Sequence, residues 1–209
     1  PNKGEVVVDK NERMSILMQN QNAYDDYTVL ETVMWGHKKL MEIKAEREAL
    51  YSKEDFSDED GVRAAELEGE FAEMGGYEAE SDAETLLNQL KIDSDLFYSL
   101  MADVDPKIKV KVLLAQSLFG KPDILILDEP TNNLDVLSVR WLEDYIMAME
   151  DSIIIIVSHN RHFLNRVCTH ICDVDFKKIR IFVGNYDFWY ESSQLLLKQS
   201  KEQNKKIEA

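Results

Sequence analysis

The chain has 209 residues, a net charge of −16, two cysteines and an apolar fraction of 44%. That length supports one substantial core, or one domain with an insertion. No apolar run approaches the ~18 residues of a membrane span, and two cysteines do not make a disulfide framework, so a reducing cytoplasm is the expected setting. The first residues carry no signal-peptide pattern. Pro1 is not an initiator Met, and the chain reads as a piece of a longer polypeptide. The charge is uneven. Residues 42–84 hold 16 Asp/Glu against 4 Lys/Arg, about three quarters of the excess. That surface repels phosphate backbones and reads as a solvated face rather than a nucleic-acid site.

In chain order, Gly4 opens a turn and Glu5 to Val8 reads as a strand. Met14 to Met18 reads as a second strand, ending at Gln19-Asn20-Gln21. Thr28 with Glu31 three residues on forms a capping-box pattern, opening a helix that extends to about Ser52. Phe56 to Gly61 is a break, after which Ser57 or Asp58 caps a helix through about Met74. With Gly61 as sixth residue, an EF-hand loop would begin at Phe56 and end at Leu67, so this acidic loop is rejected as a calcium site. Gly75-Gly76 ends that helix, and Glu80 to Leu90 resumes helical spacing.

Asp105-Pro106 starts the next helix, with Asp as N-cap and Pro at the first helical position. Ile124 to Leu127 is a short apolar run that reads as a strand buried on both faces. It ends in two acids, Asp128 and Glu129. Carboxylates at the C-terminal end of such a strand lie where open α/β sheets bind ligands. One can hold Mg²⁺, and the other can orient a water for attack on a phosphate. Ser138 to Met149 reads as a helix. Ile153 to Val157 reads as another buried strand, followed by Ser158-His159 and a helix opening at Arg161. Cys168, His170 and Cys172 alternate along a strand over residues 169–174. They lack an evident fourth ligand, so the two cysteines read as buried small thiols rather than zinc ligands. Residues 179–183 form a second strand of that hairpin, and a polar, lysine-bearing helix follows from Glu191.

Asp128-Glu129 with Pro130 and Thr131-Asn132-Asn133-Leu134-Asp135 resembles the Walker B motif and D-loop of ATP-binding cassette proteins. Gln19 resembles the family's Q-loop glutamine, with Gln21 less favoured, and His159 its H-loop histidine. Gly184-Asn185-Tyr186-Asp187 resembles the cassette end of the F subfamily. The resemblance implies an α/β, P-loop NTPase-like ATP-binding cassette with an incomplete parallel sheet, an inserted helical subdomain and a C-terminal linker helix. It divides the chain into cassette core (1–34), helical subdomain with acidic insert (35–104), core with signature helix, Walker B, D-loop and H-loop (105–190), and linker (191–209).

The resemblance also implies the site. Glu129 and His159 are catalytic, and Asp128 and Gln19 hold Mg²⁺. Gln19, Asp105, Lys107, Asn133 and Asp135 approach the ATP. The expected partners are a second cassette of the same polypeptide and, for the full-length protein, the ribosome with tRNA, without a membrane. A homodimer of this piece is left open. Two departures stand out. The family's Leu-Ser-Gly-Gly signature is replaced by Val104-Asp105-Pro106-Lys107. No Gly-x-x-x-x-Gly-Lys-Ser/Thr phosphate loop occurs; it is expected some tens of residues before Pro1. The full-length protein is thus expected to hydrolyse ATP, and this piece alone is not. A transporter's nucleotide-binding subunit and a nucleotide-independent interaction module remain the alternatives.

Overall fold

A computed structural model describes residues 4–175 and 178–195. Three strands form a parallel sheet: β1 (Met14–Ile16), β2 (Ile124–Asp128) and β3 (Ile153–Val157), in that order. Met14 pairs with Ile124, and Ile124 with Ile153. Parallel neighbours need long crossovers, and here these are helical. Helices α1 (Val29–Met34), α2 (Lys38–Tyr51), α3 (Asp58–Glu73), α4 (Ala79–Gln89) and α5 (Pro106–Leu118) lie between β1 and β2. Helix α6 (Val136–Met147) lies between β2 and β3, and α7 (Arg161–Val167) follows β3.

The sheet is covered on one face. Leu125 and Leu127 are fully buried there, in one core with Val112, Leu113, Leu114 and Leu118 of α5 and Leu142 of α6. The other face, with Met14, Ile16, Ile153, Ile155 and Val157, is exposed. The expectation of strands buried on both faces is therefore corrected: β2 and β3 alternate, because no layer among the described residues covers the second face. The expected strand at Glu5–Val8 is not formed either. Val6 and Val7 are exposed, and among the described residues no strand is adjacent to satisfy their backbone.

The long helix expected from Thr28 is two helices. Its start holds: Thr28 and Glu31 form the reciprocal capping box. The break comes at Gly36, which packs so tightly on α5 that an added Cβ would lie 2.0 Å from the Gln116 carbonyl oxygen. The Arg13 guanidinium fixes the break by donating to Gly36 O and Phe119 O at 3.0 and 2.9 Å. The His37 ring then caps α2 by accepting from Leu40 N. Helix α2 packs along α3, which Ser57 caps. Arg47 and Glu68 join them at 2.7 Å, with Tyr51 and Tyr77 donating to the same carboxylate.

After α7, β4 (His170–Asp175) and β5 (Lys178–Val183) pair antiparallel. Cys168 is half-buried and Cys172 exposed, so the reading of both as buried thiols is corrected at Cys172. Residues 186–195 are helical, an earlier start than Glu191, and most of the linker expected at 191–209 lies outside the described residues.

Candidate active site

The site is built where β2 leaves the sheet. The main chain of Glu129 continues the ladder, donating to Val157 O at 2.8 Å, but with φ +49°. A non-glycine residue in the left-handed region carries strain that its surroundings must hold in place. Here the side chain does so. Its Oε1 accepts from His159 N at 2.9 Å and its Oε2 from Ser158 Oγ at 3.3 Å. Glu129 is thus bound to the loop that follows β3. The His159 ring is exposed, with Nε2 at 3.7 Å from Glu129 Oε1. Asn133, also left-handed (φ +62°), closes the turn that follows.

Gln19 approaches from the other side, its Nε2 donating to Asp128 Oδ2 at 2.5 Å. Gln19, Asp128, Glu129 and Asn133 line one cleft of about 280 Å³, with Val110 and Leu113 of α5 as its apolar wall. The donor set suits a hard cation. A carboxylate and an amide oxygen are the ligands Mg²⁺ takes, and it keeps water and phosphate oxygens in the remaining positions. A half-turn of the Gln19 amide presents its oxygen instead of its nitrogen.

No family model matches the chain. Individual proteins do match. An uncharacterized ABC transporter ATP-binding protein of Bacillus subtilis (strain 168), YkpA, is 59% identical over this whole chain and 38% of its own length. ABC transporter F family member 4 of Arabidopsis thaliana is 30% identical over 92% of this chain and 28% of its own. The chain belongs to the F subfamily of ATP-binding cassette proteins. It spans little more than a third of the length of the B. subtilis relative. Elongation factor 3 of Mycosarcoma maydis is 42% identical over 51% of this chain and 10% of its own. In fold, the chain is similar to an ATP-binding cassette solved as a dimer with ADP and Pi. Their TM-score is 0.55 at 15% identity, covering 82% of this chain and 63% of that one. The fold is that of a P-loop NTPase-like cassette.

The remaining candidates of this F-subfamily cassette lie apart from the cleft. Asp105 caps α5 as read from the sequence: its Oδ1 accepts from Lys107 N at 2.8 Å, and both residues are exposed. Asp135, in the D-loop, is engaged within the chain. Its Oδ1 accepts from Leu137 N and Ser138 N, capping α6, and its Oδ2 accepts from Ser138 Oγ. The Ser138 hydrogen bonds, backbone first, hold its carboxyl well below the usual carboxylate range, helped by Lys111. So Gln19, Asp128, Glu129 and Asn133 share the cleft, with His159 at its margin through Glu129. Asp105, Lys107 and Asp135 do not line it.

Sequence reading gave no role to three cations. The Arg13 guanidinium bridges Gly36 O and Phe119 O, while its main-chain N–H donates to Asp123. Lys109 and Lys111 of α5 make ion pairs with Asp25 and Asp135. The available signal was at Lys109. It stands three and four residues before the buried Val112 and Leu113, on the apolar stripe of its helix.

Proposed function

We propose that the chain supplies the metal-binding and water-orienting side of an ATP hydrolysis site in a longer protein. The observation that carries this is the convergence of Gln19, from the loop after β1, with Asp128 and Glu129, at the end of β2, on one cleft. In this reading Asp128 and Gln19 hold Mg²⁺, which when bound neutralises charge on the ATP phosphates. Glu129 orients the water. The water's oxygen attacks the γ-phosphorus, the bond to the β–γ bridging oxygen breaks, and the water's proton passes to the carboxylate. His159 and Asn133 contact phosphate oxygens. His159 N and Ser158 Oγ, already donating to Glu129, keep its carboxylate aimed.

The chain contains no phosphate loop, so alone it neither binds ATP tightly nor hydrolyses it. A second cassette of the same polypeptide completes the sites, two ATP molecules being held between two cassettes; the solved cassette dimer with ADP and Pi supports this. Asp105 and Lys107, apart from the cleft, serve the second cassette's ATP, and Asp135 adjoins it. This chain is then the first cassette, and the divisions 1–34, 35–104, 105–190 and 191–209 are core, helical subdomain, core and linker. The whole protein acts in the cytoplasm on the ribosome with tRNA, a reading supported by the relative named elongation factor 3. No helix among the described residues is long and apolar enough to cross a membrane.

Magnesium dependence tests the reading. In the full-length protein, Asp128→Asn should raise the Mg²⁺ concentration for half-maximal ATP turnover at this site by tenfold or more. Gln19→Ala should raise it less. An unchanged Mg²⁺ dependence in Asp128→Asn removes Asp128 from the metal site.

A further inference from the structure

Lys109 is 6% exposed, although it carries a charge. A buried ammonium needs compensating partners. Its Nζ donates to Asp25 Oδ1 at 2.6 Å and to Asn22 Oδ1 at 3.3 Å. Both partners lie in the loop from Gln19 to Thr28. The same loop is tied near its end by main-chain bonds, Ala102 N to Asp25 O at 3.2 Å and Met101 N to Tyr27 O at 2.9 Å. At its start, Gln19 is tied beyond the loop by its side-chain hydrogen bond to Asp128. Lys109 itself sits in the first turns of α5, its N–H donating to Asp105 O at 3.0 Å. Two residues on, Lys111 Nζ turns elsewhere, to Leu90 O at 3.2 Å and Asp135 Oδ2 at 3.5 Å. One stretch of α5 therefore holds both the Gln19 loop and the cap that ends the D-loop.

We infer that Lys109 is a positioning residue: with Asp25 and Asn22 it latches the Gln19 loop to α5, so that Gln19 keeps its place on Asp128 only while the start of that helix is held. This rests on the reading of Gln19 and Asp128 as the metal side of the site. Lys109 touches neither ligand nor metal. It couples the residues at 105–107, at the head of α5, to the glutamine at the far side of the cleft. A change in how that helix end is bound moves the Gln19 loop with it.

The test uses the full-length protein, ¹⁵N-labelled, as wild type, Lys109→Met, Asp25→Asn and the double variant. The readouts are the side-chain amide resonances of Gln19 and deuterium exchange of backbone amides. Each single change should move the Gln19 resonances toward those of a free glutamine. Each should also speed exchange over residues 20–27 by tenfold or more, while β2, β3 and α6 exchange as before. The double variant should be no worse than the worse single, because both remove one interaction. Unchanged Gln19 resonances in Lys109→Met overturn the latch. So does faster exchange spread evenly over the chain, which marks a general packing role. If Lys109→Met does not fold, Asp25→Asn, which keeps shape and changes a partly exposed partner, carries the same expectations. None of these readouts uses nucleotide. Failure of the latch leaves the Mg²⁺ test of Asp128 intact, and failure of the ATPase reading leaves the latch measurable.

Discussion

Gln19 and Asp128 lie 109 residues apart in sequence, yet the Gln19 amide donates to the Asp128 carboxylate at 2.5 Å. The cause is the parallel pairing of β1 with β2. Ile16 is in register with Ile126, and Leu17 N extends the pairing to Ile126 O. Parallel strands end on the same edge of a sheet, so the residues just past each end are neighbours. Of the helices inserted between them, α5 returns to that edge, where its Val110 and Leu113 wall the cleft.

Gly36→Ala should destabilise the chain strongly. The new methyl would meet the Gln116 carbonyl at 2.0 Å, and backbone on both sides leaves little room to yield. Overpacking of this kind costs about 1–3 kcal/mol. Urea unfolding should show that loss as a lower midpoint with an unchanged slope; an unchanged midpoint would mean that α1 and α5 can separate freely.

Stability should fall in mild acid through His37. Burial, and after it the Arg13 guanidinium, push its pKa below the ordinary value. A base with a lowered folded pKa takes its proton more readily when unfolded. Its contribution is therefore present above the unfolded pKa, about 6.5, and is lost as pH falls through the lower folded value. Protonation of Nδ1 also ends the cap on Leu40 N. The stability gap between wild type and His37→Gln should narrow between pH 7.5 and pH 5. A constant gap contradicts this. Asp135 acts in a lower window: its depressed carboxyl stabilises the fold above about pH 4, and that contribution is lost below it.

The acidic hairpin α2–α3 should not be a nucleic-acid surface. Its arginines are already paired, Arg47 with Glu68 and Arg63 with Glu46 and Glu66. Charge-reversing substitutions of exposed acids in residues 42–84 should leave ribosome binding by the full-length protein unchanged, or tighten it, at constant salt. Weaker binding would place the contact on this face.

Much of this was legible because it is local. The caps at Thr28 and Asp105 were named from the side chain that accepts the orphan N–H, and each is found there; of the two residues offered for α3, Ser57 is the cap and Asp58 the first helical residue. The apolar runs ending at Leu127 and Val157 marked two strands, and with them the places of Glu129 and His159 just past their ends. What failed depends on neighbours that a sequence does not display. Strand burial on the second face needs a covering layer, and Glu5–Val8 needs a strand beside it. The break at Gly36 is set by the approach of α5, 80 residues on. Lys109 was passed over because its partners, Asn22 and Asp25, lie in a loop read only for its glutamine.

Restoring Ser-Gly-Gly at residues 105–107 should act on the second cassette's nucleotide. Asp105 sets a negative charge at the head of α5 and uses its carboxylate on Lys107 N, while Pro106 offers no N–H. Nucleotide affinity or turnover at that site should rise on replacement, with the other site unchanged. No change, in a folded protein, would mean that Lys107 and the helix end already suffice.

The most direct measurement is ATP turnover of Glu129→Gln at this cassette's site in the full-length protein, with the other site disabled. The amide keeps the side chain's shape and one acceptor oxygen for His159 N, but cannot take a proton from water. The expected result is nucleotide binding within a few-fold of wild type and turnover lower by ~10²–10⁴-fold. Turnover equal to wild type would contradict the assignment of Glu129 to the attacking water.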